Sequence, residues 1–423
     1  MSGIVQNNIL RSSGTIAVSA AGLNWSDTII TGSTATVEAG NGYWINTTSN
    51  TCTITLPSSA ESGDQIVLID YARTWGTNKI IIDSNGLNYQ GNADTYTVEY
   101  TTDGQSVNIV YSDATKGWIP LEDDVTADVP VAPVTQKAIF GYGTTGSNVS
   151  MSNLVSSSGV VAADVTGVGT ARDSVSAAGY GGDKAIFGYG TTGSNVSLTN
   201  LVSNSGVVAT DTAGVGTARA HLAAATYGGD KGIFAYGNSV SNVSMSNLVS
   251  SSGVVAADVT GVGTARRYLS ATGYGTDKAI FGYGYTATWV LISNLVSNSG
   301  VVASDTTIVG TARASLAAAG YGGDKAIFGY GSTYSGGDVF YSVTNLVSNT
   351  GVVASNVTGV GTARTGLGAA SYGGDKAIFA YGHNGSKLSL SNLVSNSGVV
   401  ASDVTGVGTA RSGLGSAEYS YSA

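Results

Sequence analysis

The chain has 423 residues and a net charge of −9, and only 11% of its residues are charged, against roughly 25% in ordinary globular proteins. The negative balance and the lack of any Lys/Arg run argue against a phosphate-tracking nucleic-acid surface. With 61 glycines, 4 prolines and a lone Cys52, the composition excludes a proline-rich disordered chain and an intrachain disulfide, and it predicts an all-β protein of short strands and tight turns.

Residues 1–22 are polar and alanine-rich and read as an extended segment. No basic stretch leads into an apolar run there, so no signal peptide is expected. No apolar run approaches the ~18 residues of a membrane span, so membrane insertion is not expected. Residues 23–122 read as a separate β domain. Its strand signals are DTIIT, TATVE, GYWINT, CTITLP, QIVLID, KIIID, YTVEY and SVNIVY. Turns are expected at Gly40-Asn41-Gly42, Ser84-Asn85-Gly86 and Thr102-Asp103-Gly104. Cys52 alternates with Ile54 and Leu56 and is expected as a buried small hydrophobe. Residues 123–135 carry acids and prolines and read as a semi-stiff linker.

From residue 136 to 423 the chain repeats itself. Lys137, Lys184, Lys231, Lys278, Lys325 and Lys376 each open an apolar strand, at spacings of 47, 47, 47, 47 and 51 residues. The extra four residues fall between Gly331 and Asn345. One unit holds four strand signals: GLGAASY, then a Gly-Gly-Asp turn, KAIFAYG, KLSLSNLVS and GVVAS. KAIFAYG is apolar almost throughout, as expected of a strand covered on both faces. Four antiparallel strands per unit, six times over, predict a six-bladed β-propeller of four-stranded blades. A solenoid would need polar caps. Instead the first unit lacks the small-residue strand, and residues 412–421 are expected to supply it beside 137–143. That closing strand is expected to run on through Tyr421.

Two resemblances follow from these residues. The stretch from Arg313 to Gly331, RASLAAAGYGGDKAIFGYG, resembles a kelch repeat: an arginine, a small-residue strand, a turn, an apolar strand and a glycine pair. Here the glycine pair is split by a tyrosine, and Val holds the usual Trp position. The stretch GYWINTTSNTCTITLPSSAESGDQIVLIDYARTWGTNKIIIDSNG, closed by SVNIVYSDATKGWIP, resembles a β module of bacteriophage tail fibres and other virion appendages. That resemblance implies a sandwich- or prism-like fold, a place on the virion and a homotrimer. The segment 1–22 would then attach to other virion proteins.

The sequence offers no catalytic group. His221 and His383 have no partner nearby in sequence, so no metal site is expected. Aspartates recur once per unit in the Gly-Gly-Asp turn and again after the fourth strand signal. A catalytic carboxylate pair should be unique, so these read as turn formers. The arginines Arg172, Arg219, Arg266, Arg313, Arg364 and Arg411 are expected to pair with a neighbouring blade's aspartate or with carbonyls. No cofactor is called for and no enzyme activity is expected.

The signal for function lies where the units disagree. The loop after the KAIFG strand reads TTGSNVS in units one and two but YTATWVL in unit four and STYSGGDVFYSV in unit five. The candidate ligand-binding residues are therefore Tyr285, Trp289, Tyr334, Asp338, Phe340, Tyr341 and His383. Aromatic faces beside polar groups suit sugar rings. This loop should share a face with the connection carrying Arg266-Arg267-Tyr268. The expected function is a virion structural protein, a tail-fibre or appendage subunit that recognises host-surface glycan. The alternative is a capsid decoration, head or neck fibre protein with an architectural role.

Overall fold

A computed structural model describes residues 23–121, 136–334 and 337–420. The expected attachment segment, the expected linker and Tyr421 lie outside these residues. The described residues are all-β, without a helix. Contacts divide the chain into two units, 1–133 and 134–423.

The first unit holds β1 (Asn24–Ile30), β2 (Thr34–Thr36), β3 (Asn41–Ile45), β4 (Cys52–Thr55), β5 (Gln65–Asp70), β6 (Ile80–Asp83), β7 (Val98–Tyr100), β8 (Ser106–Tyr111) and β9 (Trp118–Pro120). From β1 to β6 the chain alternates between two sheets, ordered β1-β3-β5-β8-β9 and β2-β4-β6-β7. The pairs β1–β3, β3–β5, β2–β4 and β4–β6 are parallel, and the later pairs are antiparallel. The alternating side chains of both sheets meet in one core around Ile54, Ile66, Leu68, Trp75 and Trp118. Cys52 is part of this core, and burial pushes its thiol pKa up. Of the expected Gly40-Asn41-Gly42 turn, only Gly40 bends the chain; Asn41 and Gly42 already belong to β3. Gly42 lies under the Trp25 ring, where a Cβ would come within 2.7 Å of it.

The second unit is built of six small antiparallel sheets, each with a first, second and third strand in spatial order. The second strands are Lys137–Gly141, Lys184–Gly188, Lys231–Ala235, Lys278–Gly282, Lys325–Gly329 and Lys376–Ala380, in sheets 1 to 6. The first strands of sheets 2 to 6 are Ser176–Tyr180, Ala223–Tyr227, Ser270–Tyr274, Ala317–Tyr321 and Gly368–Tyr372. Sheet 1 takes its first strand from Gly415–Tyr419, paired with Lys137–Gly141 in full register from Lys137↔Tyr419 to Gly141↔Gly415. Tyr419 thus stands where the other sheets hold Tyr180 or Tyr372, and the strand stops there. The expected continuation to Tyr421 falls outside the described residues.

Three strands, not four, make most of these sheets. The GVVAS-type segments touch the third strands only through isolated bridges such as Val155↔Val161 and Ser152↔Val165. Between those bridges the outer segment carries one extra residue, a bulge that breaks the ladder. The Asn153 side chain fills the break, donating to Ala162 O and to Asp164 Oδ1. Only sheet 4 gains a short fourth strand, Thr306–Thr307.

Each second strand is covered on both faces, which accounts for its unbroken apolar run. In sheet 2, Ala185 and Phe187 pack toward sheet 1, while Ile186 and Tyr189 pack toward sheet 3. Six such clusters join sheets 1–2, 2–3, 3–4, 4–5, 5–6 and 6–1. Backbone bonds follow the same order: Gly181 N donates to Asp230 O, and the equivalent bonds run Gly228–Asp277, Gly275–Asp324, Gly322–Asp375, Gly373–Gln136 and Ser420–Asp183, all at 2.7–2.9 Å. The donor is left-handed in every case, with φ of 58° to 63°, a conformation natural to glycine that Ser420 also adopts.

Candidate functional site

The six arginines hold the connections that enter each sheet. All are fully buried. Their Nε donates to the carbonyl of the tyrosine after the second strand at 2.6–2.9 Å, and Nη1 donates to the threonine carbonyl two residues back. In sheets 2 to 6, Nη2 also donates to the buried asparagine of the third strand. Each guanidinium lies 4.2–4.6 Å over the preceding sheet's tyrosine ring. The carboxylate near Arg172, Asp211, belongs to the same sheet, at 3.8 Å. Of the two expected partners, the carbonyls are the ones found; the neighbouring sheet supplies a ring and not the aspartate. These cations form no accessible annulus, because every one is enclosed.

Asp164, Asp211, Asp258, Asp305 and Asp403 are spent in the same way. Burial works against their charge, but hydrogen bonds from a threonine and an asparagine outweigh it and hold their pKa values down. The turn aspartates Asp183, Asp277 and Asp324 bind their own lysines and an asparagine. Among the described residues the Asp230 and Asp375 carboxylates contact only the adjacent lysine. Among the described residues no group of three or more His, Cys, Asp or Glu could hold a metal ion.

Two residues beyond each arginine the chain turns left-handed, at Ser174, His221, Tyr268, Ser315, Gly366 and Gly413, with φ of 50° to 66°. Four of these are not glycine, so the conformation is imposed on them. Backbone bonds link them from sheet to sheet: Tyr268 N to His221 O, Ser315 N to Tyr268 O, Gly366 N to Ser315 O and Gly413 N to Gly366 O, at 2.8–3.0 Å. They line a cavity of about 320 Å³ together with Asp173, His383, Lys387 and Ser412. Val175, Leu222, Leu316, Leu367 and Leu414 line both this cavity and a second one of about 610 Å³ among the first strands. In the second cavity Thr226 donates to Glu418, which stands where other sheets carry Gly179 or Gly273.

The variable loops sit on the face of the smaller cavity. Tyr285 exchanges backbone hydrogen bonds with Arg267, at 2.8 and 3.1 Å, so this loop and the Arg266-Arg267-Tyr268 connection do share a face. In sheets 1 to 3 an asparagine ties each loop to the next: Asn148 donates to Thr191 O, Asn195 to Asn238 O and Asn242 to Tyr285 O. Trp289, Phe340 and Lys387 take that place in sheets 4 to 6. Trp289 packs edge-on against Tyr285, with ring centroids 5.8 Å apart. Phe340 packs edge-on against His383, also at 5.8 Å. Lys387 Nζ donates to Ser412 Oγ at 2.6 Å.

The extra four residues of sheet 5 form a hairpin, Ser332–Tyr334 with Asp338–Phe340. Tyr334 and Asp338 face each other across it and are exposed. The Tyr341 hydroxyl lies 3.1 Å from Thr333 Oγ1 and braces the hairpin. The predicted residues thus fall into two groups, Tyr285 with Trp289 and the hairpin with His383; no ring contact joins them among the described residues. Burial, then the Lys387 charge, lowers the His383 pKa, with Asp338 opposing.

Sequence reasoning missed His221, Lys387 and the chemistry of Arg267. His221 stacks on Tyr268 at 4.3 Å, and burial, reinforced by Arg267, pushes its pKa down to about 4. The signal was present in the column after the buried arginine, which reads Asp173, Ala220, Arg267, Ala314, Thr365 and Ser412. No protein-family model matches this chain, and no curated protein matches it.

Proposed function

We propose that residues 136–423 form a closed six-bladed, kelch-like β-propeller that presents one loop face to a host-surface glycan. In this reading the protein is a bacteriophage virion component, a tail-fibre or appendage subunit. Its residues 1–22 attach to other virion proteins, and residues 1–125 assemble it as a homotrimer. The cyclic order of sheet contacts and the pairing of Gly415–Tyr419 with Lys137–Gly141 support the propeller. The virion setting rests on the resemblance of residues 42–120 to fibre modules.

The observation that carries the binding role is the loss of the asparagine bridge in half of the face. Sheets 1 to 3 close their loops on one another, whereas sheets 4 to 6 place Trp289, Phe340 and Lys387 there. An aromatic ring next to free polar groups suits the C–H face and hydroxyls of a sugar. Binding is favoured over catalysis because the repeated carboxylates are already engaged. An architectural role as a head decoration or neck fibre is the second reading, favoured by the self-satisfied loops of sheets 1 to 3.

A glycan array probed with the full-length protein tests the binding role. The expected result is binding to a restricted set of saccharides that falls at least about tenfold in Trp289→Ala. A blank array, or binding indifferent to this substitution, leaves the architectural reading.

A further inference from the structure

Arg267 differs from the six buried arginines beside it in sequence and space. Those guanidiniums donate to a tyrosine carbonyl and a threonine carbonyl, and in sheets 2 to 6 also to an asparagine. The Arg267 guanidinium has no hydrogen bond or ion pair among the described residues, and its Nε is buried without a partner. It is held between two aromatic rings, with Cζ 5.2 Å from the Tyr268 centroid and 5.6 Å from that of Tyr285. The backbone exchange between Arg267 and Tyr285 fixes this placement from both sides. Tyr285 in turn carries the edge-on Trp289.

A buried guanidinium N–H without an acceptor is destabilising, and stacking on tyrosine does not supply the missing oxygen. The planar fork matches the two oxygens of a carboxylate. Beside it, Tyr285 and Trp289 offer faces for a sugar ring. The geometry points to a subsite for a carboxylated sugar, in which Arg267 takes the carboxylate, Tyr268 and Tyr285 hold the guanidinium flat, and Trp289 covers the ring. This assignment rests on the glycan-binding reading above and narrows it to acidic saccharides.

The test uses the full-length protein and oligosaccharides of galacturonate, glucuronate and sialic acid, each beside its methyl-esterified form. Affinity is followed by titration calorimetry in wild type, Arg267→Gln and Arg267→Lys. Wild type should bind at least one acid about tenfold or more tighter than its ester. Arg267→Gln should abolish that preference, while residual binding still depends on Trp289. Arg267→Lys should recover part of it, since the charge remains and the fork is lost. Because the Arg267 side chain makes no hydrogen bond among the described residues and its backbone bonds to Tyr285 do not depend on the side chain, Arg267→Gln should stay folded, with an unfolding temperature close to that of wild type. Equal affinity for acid and ester, or a preference that survives in Arg267→Gln, overturns the subsite and leaves glycan binding standing. No binding of any form, with a blank array, overturns the glycan reading and this subsite with it.

Discussion

The tyrosine after each second strand carries more of the second unit than any other residue type. Tyr142, Tyr189, Tyr236, Tyr283, Tyr330 and Tyr381 are all left-handed, with φ of 62° to 65°, a costly conformation for a bulky side chain. Each earns it by serving both its own sheet and the next. The carbonyl accepts from an arginine, the ring lies under the following sheet's guanidinium, and the ring edge meets the following sheet's phenylalanine at 5.1–5.5 Å. The Tyr142 and Tyr381 hydroxyls donate to Val168 O and Val407 O. Burial, opposed in part by the arginines, pushes both phenols up to about 12. The folded chain therefore holds these protons more tightly than the unfolded chain, whose tyrosines titrate near 10. Their contribution is whole below pH 10 and is lost as pH rises through 12, at roughly 3 kcal/mol per tyrosine. Denaturant midpoints measured from pH 8 to 12 should hold steady to about pH 10 and then fall steeply. A flat profile to pH 12 would contradict the assignment.

At the scale of elements, the contact between neighbouring sheets is a ring inserted over a glycine or alanine. Phe234 of sheet 3 covers Gly188 of sheet 2, where a Cβ would come within 2.7 Å of the ring. Removing that ring leaves a cavity between Tyr189 and Val249. Phe234→Ala should cost about 3–5 kcal/mol by chemical denaturation; a loss under about 1 kcal/mol would mean that the sheets do not depend on this contact. Much of this level was legible in the chain. The unbroken apolar run KAIFG announced a strand covered on both faces, and the Gly-Gly-Asp turns announced hairpins. The fourth strand was overread, because a GVVAS pattern does not reveal that the Asn153 side chain takes over its hydrogen bonds. The parallel pairing of β1, β3 and β5 was not legible either, since alternation shows which side chains face the core but not which sheet a strand joins. The candidate site was half legible. Trp289 and Phe340 stood out as departures from the repeat, whereas the unpartnered Nε of Arg267 follows from side-chain packing that an Arg266-Arg267 pair in the sequence does not reveal.

For the whole second unit, the repeat has one consequence that no single sheet shows. Equivalent interfaces recur at every step, and the step from sheet 6 to sheet 1 uses the same parts as the others: the Phe140–Tyr381 contact, the Arg411 guanidinium over Tyr381, and the backbone bond from Gly373 N to Gln136 O. In the proposed propeller every sheet has two neighbours, so stability belongs to the ring and not to a row of separable units. The loop face depends on it, because the residues around the smaller cavity come from all six sheets. Deleting residues 412–423 and following amide hydrogen exchange in the second unit tests this most directly. The account predicts that protection collapses across all six sheets, including sheets 4 and 5, for which no hydrogen bond to the deleted strand is seen among the described residues. Protection that is lost only in the sheets touching the deleted strand, 1, 2, 3 and 6, with sheets 4 and 5 exchanging as in the full-length protein, would contradict it.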